Sequence, residues 1–394
     1  MKIELSPEQK RNQLEFRLFA KEHVAPHAAR HDAEQRISSD IVGKLAERGY
    51  LAAFLPRSWG GREMDMVTYG LLHEEMGKAC SSVRSLLTVH DMAALSIYKW
   101  GSARLSETWL PKLASGQMTG ALGLSEPNAG SDVNGIETTA EACDEGYILN
   151  GKKKWITFGQ IADVFVVLAK CEGKPTAFLV ERGRTGFSTT PISGMFGTRG
   201  SMLALLNFDE CRIPKENLIA RRGFGASSVA LTALNLGRYS VACGSVGIAQ
   251  ACLEACMEYT AKTKRFGSAL KEHQLIQQLL TDMITETAAA RLLCLQAGYF
   301  KDQKDPREIT HTFMAKYFAS TAAMKAAVNA VQIHGANGCS SDYPVERYLR
   351  DAKVMEIIEG STQIQQITIA KLGFQEFEQA RLEEENIREA AAYA

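Results

Sequence analysis

The chain counts 394 residues, 45% hydrophobic and 23% charged, with Lys plus Arg equal to Asp plus Glu at 45 each. That length exceeds one ordinary hydrophobic core, so two or three packed units of a water-soluble globular protein are expected. Balanced charge supplies no net field to recruit nucleic acid or an anionic membrane, and neither is expected as a partner.

Apolar runs are short and broken by Gly or charge, so no membrane-spanning helix is expected. The opening residues MKIELSPEQKRNQ carry no apolar core or cleavage site and predict no export. Nine cysteines stand singly, without a Cys-x-x-Cys pair, as reduced thiols of a cytoplasmic protein do.

Residues 1–118 are rich in helix formers with apolar residues at i, i+3 and i+4, as at Ile41, Val42 and Leu45 and at Leu72 and Met76. They predict an N-terminal helical domain. Ser6-Pro7-Glu8-Gln9 opens its first helix, with Ser6 as cap, Pro7 in the first helical position and Gln9 closing a capping box. His23, His27 and His31 fall at i, i+4 and i+8, a spacing that suits a metal. Pro26 interrupts that turn and no acidic partner is obvious, so no metal is expected. His90, His273 and His334 read as structural or cofactor-flanking.

From 119 to 224 the pattern turns to strands. Tyr147-Ile148-Leu149 runs into Asn150-Gly151, a two-residue hairpin signal. Val164–Ala169 and Ala177–Val180 are strand candidates on either side of a turn at Cys171–Pro175, and Leu203–Phe208 is another. A β-barrel or sandwich is expected here. From 225 to 394 helical periodicity returns, with Ala242, Val246, Ala249, Leu253 and Met257 on one stripe. It continues through 275–300 and 308–333 and ends in a charged, Ala-rich tail from Gln375, read as an exposed helix or frayed end. The expected fold class is α+β and mostly helical: a helical domain, a β-domain and a C-terminal four-helix bundle with an acidic tail.

Six segments carry the chemistry: LGLSEPNAGSDV from Leu122, LNGKKKWITFGQIADVFVV from Leu149, KRFGSALKEHQLIQQLLTDM from Lys264, QIHGANG from Gln332, YPVERYLRDAK from Tyr343 and IIEGSTQIQ from Ile357. Read bare, Glu126 to Ser131 is a β-turn, Trp155-Ile156-Thr157 a half-buried strand, Glu359 a solvated or capping carboxylate, and Arg84 a helix-surface cation. In this order and spacing, the six resemble the acyl-CoA dehydrogenase family over about residues 5 to 374.

The resemblance implies an FAD-dependent dehydrogenase of acyl thioesters, a homodimer or homotetramer with FAD shared between subunits. Leu122, Leu124, Ser125 and Ser131 match positions that contact flavin and the substrate's thioester arm. Trp155 and Ile156 match the segment along the isoalloxazine, and the Thr157 hydroxyl matches a donor to flavin N5, where it stabilises the reduced ring. Arg265, Phe266, Gln274, Gln332, Gly335, Ser361 and Gln363 match further FAD positions; Arg238 and Gly360 fall on the substrate side. Three departures stand out: Thr263 where an Arg is common, leaving Lys264 or Arg265 to meet the pyrophosphate; Ala336 in place of a second Gly; and Ser361 in place of Thr.

Glu359 matches the catalytic base. A proton α to a thioester is weakly acidic, so its base must be close and partly dry, and burial raises a Glu toward the working pH. The developing enolate needs fixed donors; in the family these are the Glu backbone N–H and a ribityl hydroxyl of FAD. Some members place the base one residue before an Arg on a bundle helix. Here that position is Gly237, before Arg238, which favours Glu359.

Cys80 to Met92 resembles two subgroups. In glutaryl-CoA dehydrogenases an Arg at position 84 holds a distal carboxylate with a hydroxyl one turn on, here Thr88. The closer likeness is to dehydrogenases that make hydroxymalonyl or methoxymalonyl extender units on an acyl carrier protein for polyketide synthesis. They share the Cys80–Ser85 pattern, Gly-Arg-x-Ser-Val-Ala at 237–242, and Arg350–Ser361. This implies a short polar acyl group on an acyl carrier protein, its polar end paired with Arg84. The alternatives are a catabolic short-chain or glutaryl-type acyl-CoA dehydrogenase and a flavin oxidase on the same fold. Monooxygenase relatives usually lack the Glu found at 359. A nucleic-acid-binding member would have a basic C-terminal domain, whereas this tail is acidic.

Overall fold

Ser6 opens the first helix as the sequence predicts. In the computed structural model, which describes residues 4–392, its hydroxyl accepts the Gln9 N–H at 3.1 Å, and the Gln9 side chain accepts the Ser6 N–H at 2.9 Å. After that helix, α1 (Pro7–Phe19), the backbone passes through a π turn and a 3-10 turn at Pro26 before α2 (Ala28–Ala33). His23, His27 and His31 therefore share no single α-helical face. Next come α3 (Ser39–Glu47), α4 (Met66–Ala79), α5 (Ser81–Trp100) and α6 (Ala103–Ala114). α4 and α5 are buried on nearly every face, because α1 covers α4 on one side and C-terminal helices cover both on the other.

The middle segment forms one eight-stranded sheet. Its first strands, β1 (Gly120–Gly123) and β2 (Thr139–Cys143), are joined by β3 (Gly146–Ile156), β4 (Val164–Cys171), β5 (Lys174–Glu181), β6 (Phe187–Pro191), β7 (Ala204–Pro214) and β8 (Leu218–Ile219). The order is β6-β7-β3-β2-β4-β5-β8, with β1 and β2 parallel to β4 and the other pairs antiparallel. The hairpin turn falls at Asp144-Glu145, not at Asn150-Gly151 as the sequence predicts. β3 runs straight through Asn150-Gly151 as a bulge against β7. The Asn150 side chain exchanges bonds of 2.7 and 2.8 Å with Glu210, and Gly151 takes φ +140°. A bulge re-aims the residues beyond it, and here it turns Lys153 inward.

Lys153 is sealed from solvent. Its Nζ donates to Glu126 Oε1 at 2.5 Å and to the Leu124 carbonyl at 3.2 Å. Glu126 also accepts the N–H groups of Glu137 and Thr138 at 2.5 and 3.0 Å. Burial pushes the ammonium down to about 8, and Glu126 opposes that. Burial raises Glu126, but the donors around it outweigh burial and hold it below its ordinary value. This pair pins the Glu126–Ser131 turn to the sheet.

The C-terminal part consists of α7 (Leu231–Lys262), a hairpin of β9 (Lys264–Arg265) and β10 (Ser268–Ala269), then α8 (Gln274–Asp302), α9 (Glu308–His334), α10 (Val345–Ile357) and α11 (Thr362–Ala392). Residues Gly225–Lys262 are long and apolar enough to cross a bilayer, contrary to the reading from apolar runs, but 78% of their most apolar window is buried inside the protein. This is a core helix: α7 packs against α4, α5, α8, α9 and α10. α10 is docked to the other parts by Arg350, which forks Asp32 at 2.9 and 2.6 Å, and by Asp351, which accepts the Thr198 N–H at 2.6 Å. The acidic tail is helical to Ala392; its last two residues lie outside the described range. All nine cysteines are free thiols.

Removing one partner of a buried ion pair strands the other. Lys153→Met is expected to destabilise the protein by about 3–5 kcal/mol, since Glu126 stays buried with only backbone donors. The midpoint of chemical denaturation against wild type measures it.

Candidate active site

Four residues separate α10 from α11, and within them Glu359 and Gly360 take φ of +55° and +92°. For a non-glycine residue that conformation costs about 1–2 kcal/mol and persists only when neighbours fix it. Here three side chains fix it. Arg238 Nε donates to the Glu359 carbonyl at 3.1 Å, and Gln365 Nε2 donates to the carbonyls of Glu359 and Gly360 at 3.2 and 2.9 Å. Lys316 Nζ donates to the carbonyls of Gly360 and Glu356 at 2.8 and 3.4 Å.

The Glu359 carboxylate lies against α7. A Cβ at Gly237 would fall 2.6 Å from Oε2 and 2.9 Å from Met92 Sδ, so only glycine leaves the space. Part of the residue's surface is accessible, but Oε2 is enclosed and accepts no hydrogen bond. Burial pushes the carboxyl up to about 7, against the opposing pull of Arg238, Arg84 and Lys316. An enclosed carboxylate with a free lone pair and a pKa near neutrality has the properties of a general base.

Arg84 is not the surface cation that its bare reading suggests: it is 0% exposed. α5 packs against α7, and at Gly244 a Cβ would come 2.7 Å from Arg84 Cδ, so the missing side chain admits the guanidinium. Nη1 donates to Thr88 Oγ1 and Nη2 to Ser85 Oγ, both at 2.9 Å, while Nε has no partner. Thr88 also meets the Ser240 hydroxyl, so the Cys80–Thr88 and Gly237–Ala242 segments form one polar patch. Among the described residues no carboxylate bonds to Arg84. Burial pushes it down to about 10, with Glu359 the leading opposing charge.

The sheet supplies the other wall. Met92 shares a core cluster with Leu122 and Leu124. β1 is set by His90, whose Nδ1 accepts the Gly120 N–H at 3.2 Å and whose Nε2 faces the Leu113 carbonyl at 3.1 Å. That pairing fixes a neutral ring, and burial pushes its pKa down to about 4. The Lys154 N–H donates to the Ser125 carbonyl at 2.8 Å, so Ser125 and Trp155 share one rim. Trp155 is 48% exposed at φ +65°, Ile156 is buried, and Thr157 stands just past the strand. Among the described residues the Thr157 hydroxyl has no partner. Ser131 is exposed on the loop beyond Ser125.

The remaining predicted residues divide. Ser361 caps α11, its hydroxyl accepting the Ile364 N–H at 3.4 Å, and Gln363 is exposed beside it. Arg265 and Phe266 sit on the β9–β10 hairpin, Gln274 begins α8, and Gln332 and Gly335 close α9; all are exposed, Phe266 by 99%. Tyr259 stacks on His334 at 4.2 Å, gathering these ends together. From Gly237, beside Glu359, to Lys262 at that end, α7 rises about 38 Å at 1.5 Å per residue. The flavin-matching residues thus fall into two half-sets toward opposite ends of α7 and α9. Ala336 lies in a 3-10 turn without positive φ and needs no glycine.

These residues fit FAD. The near half-set offers the exposed Trp155 face, the free Thr157 hydroxyl and the unpartnered Glu359 Oε2; the far half-set offers the bare Phe266 ring with Arg265 and two glutamine amides. Sequence reasoning missed Lys316, Gln365 and the Lys153–Glu126 pair. The available signal for Lys316 is its place on the stripe Phe313, Lys316, Ser320, Ala323 and Ala327, otherwise apolar or small.

The chain matches the profiles described as "Acyl-CoA dehydrogenase, N-terminal domain" over residues 6–117, "middle domain" over 121–211 and "C-terminal domain" over 223–373. It is 37% identical over 378 residues to a probable acyl-CoA dehydrogenase, YngJ, of Bacillus subtilis, covering 94% of this chain and 99% of that protein. A glutaryl-CoA dehydrogenase solved with glutaryl-CoA superposes with a TM-score of 0.90 at 34% identity, covering 95% of this chain and 97% of the other. The prolyl acyl carrier protein oxidase AnaB superposes with a TM-score of 0.89 at 26% identity, covering 94% and 99%.

Gly237→Ala is expected to leave α7 and flavin content intact but to displace the Glu359 carboxylate. A displacement near 1 Å costs about 10²-fold in rate. Stopped-flow reduction of the bound flavin by an acyl thioester measures the loss.

Proposed function

The chain belongs to the FAD-dependent acyl-CoA dehydrogenase family, and from that premise we propose that it oxidises the Cα–Cβ bond of a short polar acyl thioester, with Glu359 as base. The enclosed, unpartnered carboxylate of Glu359, with the anion-free cation of Arg84 close by, carries the reading. Ionised Glu359 takes the proton α to the thioester. Its Oε2 is available because nothing else bonds to it, and the surrounding cations favour the ionised form until transfer. Neutral Glu359 then loses the desolvation cost of a buried charge. Bound FAD supplies the two-electron acceptor for the hydrogen lost from the β-carbon, leaving a Cα=Cβ bond. Thr157 and Trp155 orient the flavin ring, Leu122, Leu124, Ser125 and Ser131 hold the thioester arm, and the Glu359 N–H donates to the thioester oxygen. Arg238 and Gly360 shape the substrate side of that turn.

Arg84 sets the substrate class. A buried guanidinium with an unpartnered Nε favours an oxygen-bearing acyl end, which completes its hydrogen bonds. We place the acyl group on an acyl carrier protein, in extender-unit synthesis within the cytoplasm. The contact between Thr88 and Ser240 supports this, since both belong to segments shared with that subgroup; so does the likeness to AnaB. The likeness to the glutaryl-CoA complex favours a second reading, a CoA-bound dicarboxylate at the same Arg84. The split of the flavin-binding residues supports a homodimer or homotetramer in which each FAD touches the near half-set of one copy and the far half-set of another. Exposed Phe374, Phe377 and Leu382 on α11 offer further apolar surface for assembly.

Glu359→Gln is expected to stay yellow and to reduce its flavin about 10²–10⁴-fold more slowly. Because the ionised carboxylate is the active form and burial holds its pKa near 7, kcat/KM should fall as pH drops below about 7; a flat profile from pH 5.5 to 8 contradicts the assignment.

Anaerobic mixing of the purified protein with matched acyl groups on CoA and on a carrier protein separates the two carriers. Bleaching by the carrier-protein form alone supports the first reading, and bleaching by the CoA form supports the second. Under either, Arg84→Met should weaken kcat/KM for a carboxylated acyl group by at least about 10-fold relative to an unsubstituted one.

A further inference from the structure

Lys316 lies on α9, 0% exposed, with its ammonium inserted between the end of α10 and the turn that follows. The last carbonyls of a helix have no intrahelical partner and form its negative end, where a cation is favoured. Lys316 serves the Glu356 carbonyl there, together with the Thr362 hydroxyl at 3.3 Å, and also reaches the Gly360 carbonyl across Glu359. Both partners are neutral carbonyls, so no bonded carboxylate cancels its charge.

We infer that Lys316 is a positioning residue for Glu359, clamping the backbone on both sides of it and, while protonated, adding a positive charge to the surroundings of its carboxylate. The inference rests on the assignment of Glu359 as base. The charged groups around that carboxylate are Arg84 from α5, Arg238 from α7, Lys316 from α9 and, acting on Lys316, Glu356 from α10. Arg84 is turned to Thr88 and Ser85, and Arg238 lies over the Phe313 ring at 4.4 Å while holding one carbonyl. Among the described residues, only Lys316 donates to a carbonyl on each side of Glu359. Burial depresses Lys316 to about 8, and Glu359 is the first charge restoring it, so each stabilises the ionised state of the other.

Three variants separate charge from clamp. Lys316→Gln keeps an N–H donor and loses the charge; Lys316→Met loses both; Lys316→Arg keeps the charge. The pH dependence of anaerobic flavin reduction is measured for each holoenzyme, with flavin content and melting temperature as controls. In Lys316→Gln the acidic limb should move up by about one pH unit, slowing reduction about tenfold well below the limb, while the high-pH plateau stays within about threefold. Lys316→Met should show the same shift and a lower plateau. Lys316→Arg should keep the wild-type limb. A Lys316→Gln enzyme slowed equally at every pH, with its limb unmoved, overturns the inference. If Lys316→Gln does not fold, a folded Lys316→Arg enzyme decides: an unmoved limb supports the inference and a moved one overturns it. A fully active Glu359→Gln enzyme would instead remove the base assignment itself.

Discussion

How closely α7 can approach α4 and α5 decides what the interior can hold. At three inward positions α7 lacks a side chain. A Cβ at Gly247 would sit 2.2 Å from the Glu74 carbonyl oxygen, one at Gly244 2.7 Å from Arg84 Cδ, and one at Gly237 2.6 Å from Glu359 Oε2. Spacings of three and seven residues put all three on one helical face. The face therefore meets the α4 backbone at one level, the Arg84 guanidinium at the next, and the Glu359 carboxylate two turns further on. Interiors are packed too tightly for such contacts to be relieved by small shifts elsewhere. Since α7 also carries Arg238 and Ser240, one helix fixes the Glu359 carboxylate, a donor to its backbone carbonyl and the hydroxyl that meets Thr88 beside Arg84.

The charge arrangement follows from that packing. Burying one carboxylate alone would disfavour its ionised form strongly. Three buried cations oppose this, and burial in turn depresses Arg84, Arg238 and Lys316. The balance leaves Glu359 near 7, surrounded by Arg238, Arg84 and Lys316. In the proposed reaction those cations also favour negative charge developing on the thioester as the proton leaves. Arg84 differs from the other two cations. Its donors reach hydroxyls and a thioether while theirs hold backbone carbonyls, so it alone can turn to a ligand without releasing the Glu359 turn.

Local chemistry made parts of this legible in the sequence. The Ser6 cap and Gln9 act within one turn, and the structure repeats them atom for atom. The strands at 164–171 and 174–181 follow from their apolar runs. Asn150-Gly151 misled because a bulge and a tight turn ask for the same residue types, and only the partner strand, through Glu210, selects between them. Arg84 misled, and Lys153 was passed over, for a related reason. A cation in a helix or in a Lys-Lys-Lys run reads as solvated, and the sequence does not display the Gly244 gap or the Glu126 carboxylate that lets it be buried. Lys316 was visible only as a charged residue out of place on an apolar stripe.

The same bundle that gathers the near half-set keeps the far one away. α7 and α9 run the length of the C-terminal part, so Gly237 and Lys262 are held about 38 Å apart on α7, and Lys316 and Gln332 about 24 Å apart on α9, by the helical rise itself. No side-chain rearrangement closes such a gap. Either the exposed Phe266, Gln332 and Gly335 serve nothing in catalysis, or they complete a site whose other half comes from a different copy. An isolated surface ring gains nothing from being 99% exposed, whereas one that stacks on a partner's ligand gains its full burial on assembly. On the second account, cofactor binding and association are one equilibrium. Each FAD that docked would then draw two chains together, and dilution that separated them would release it.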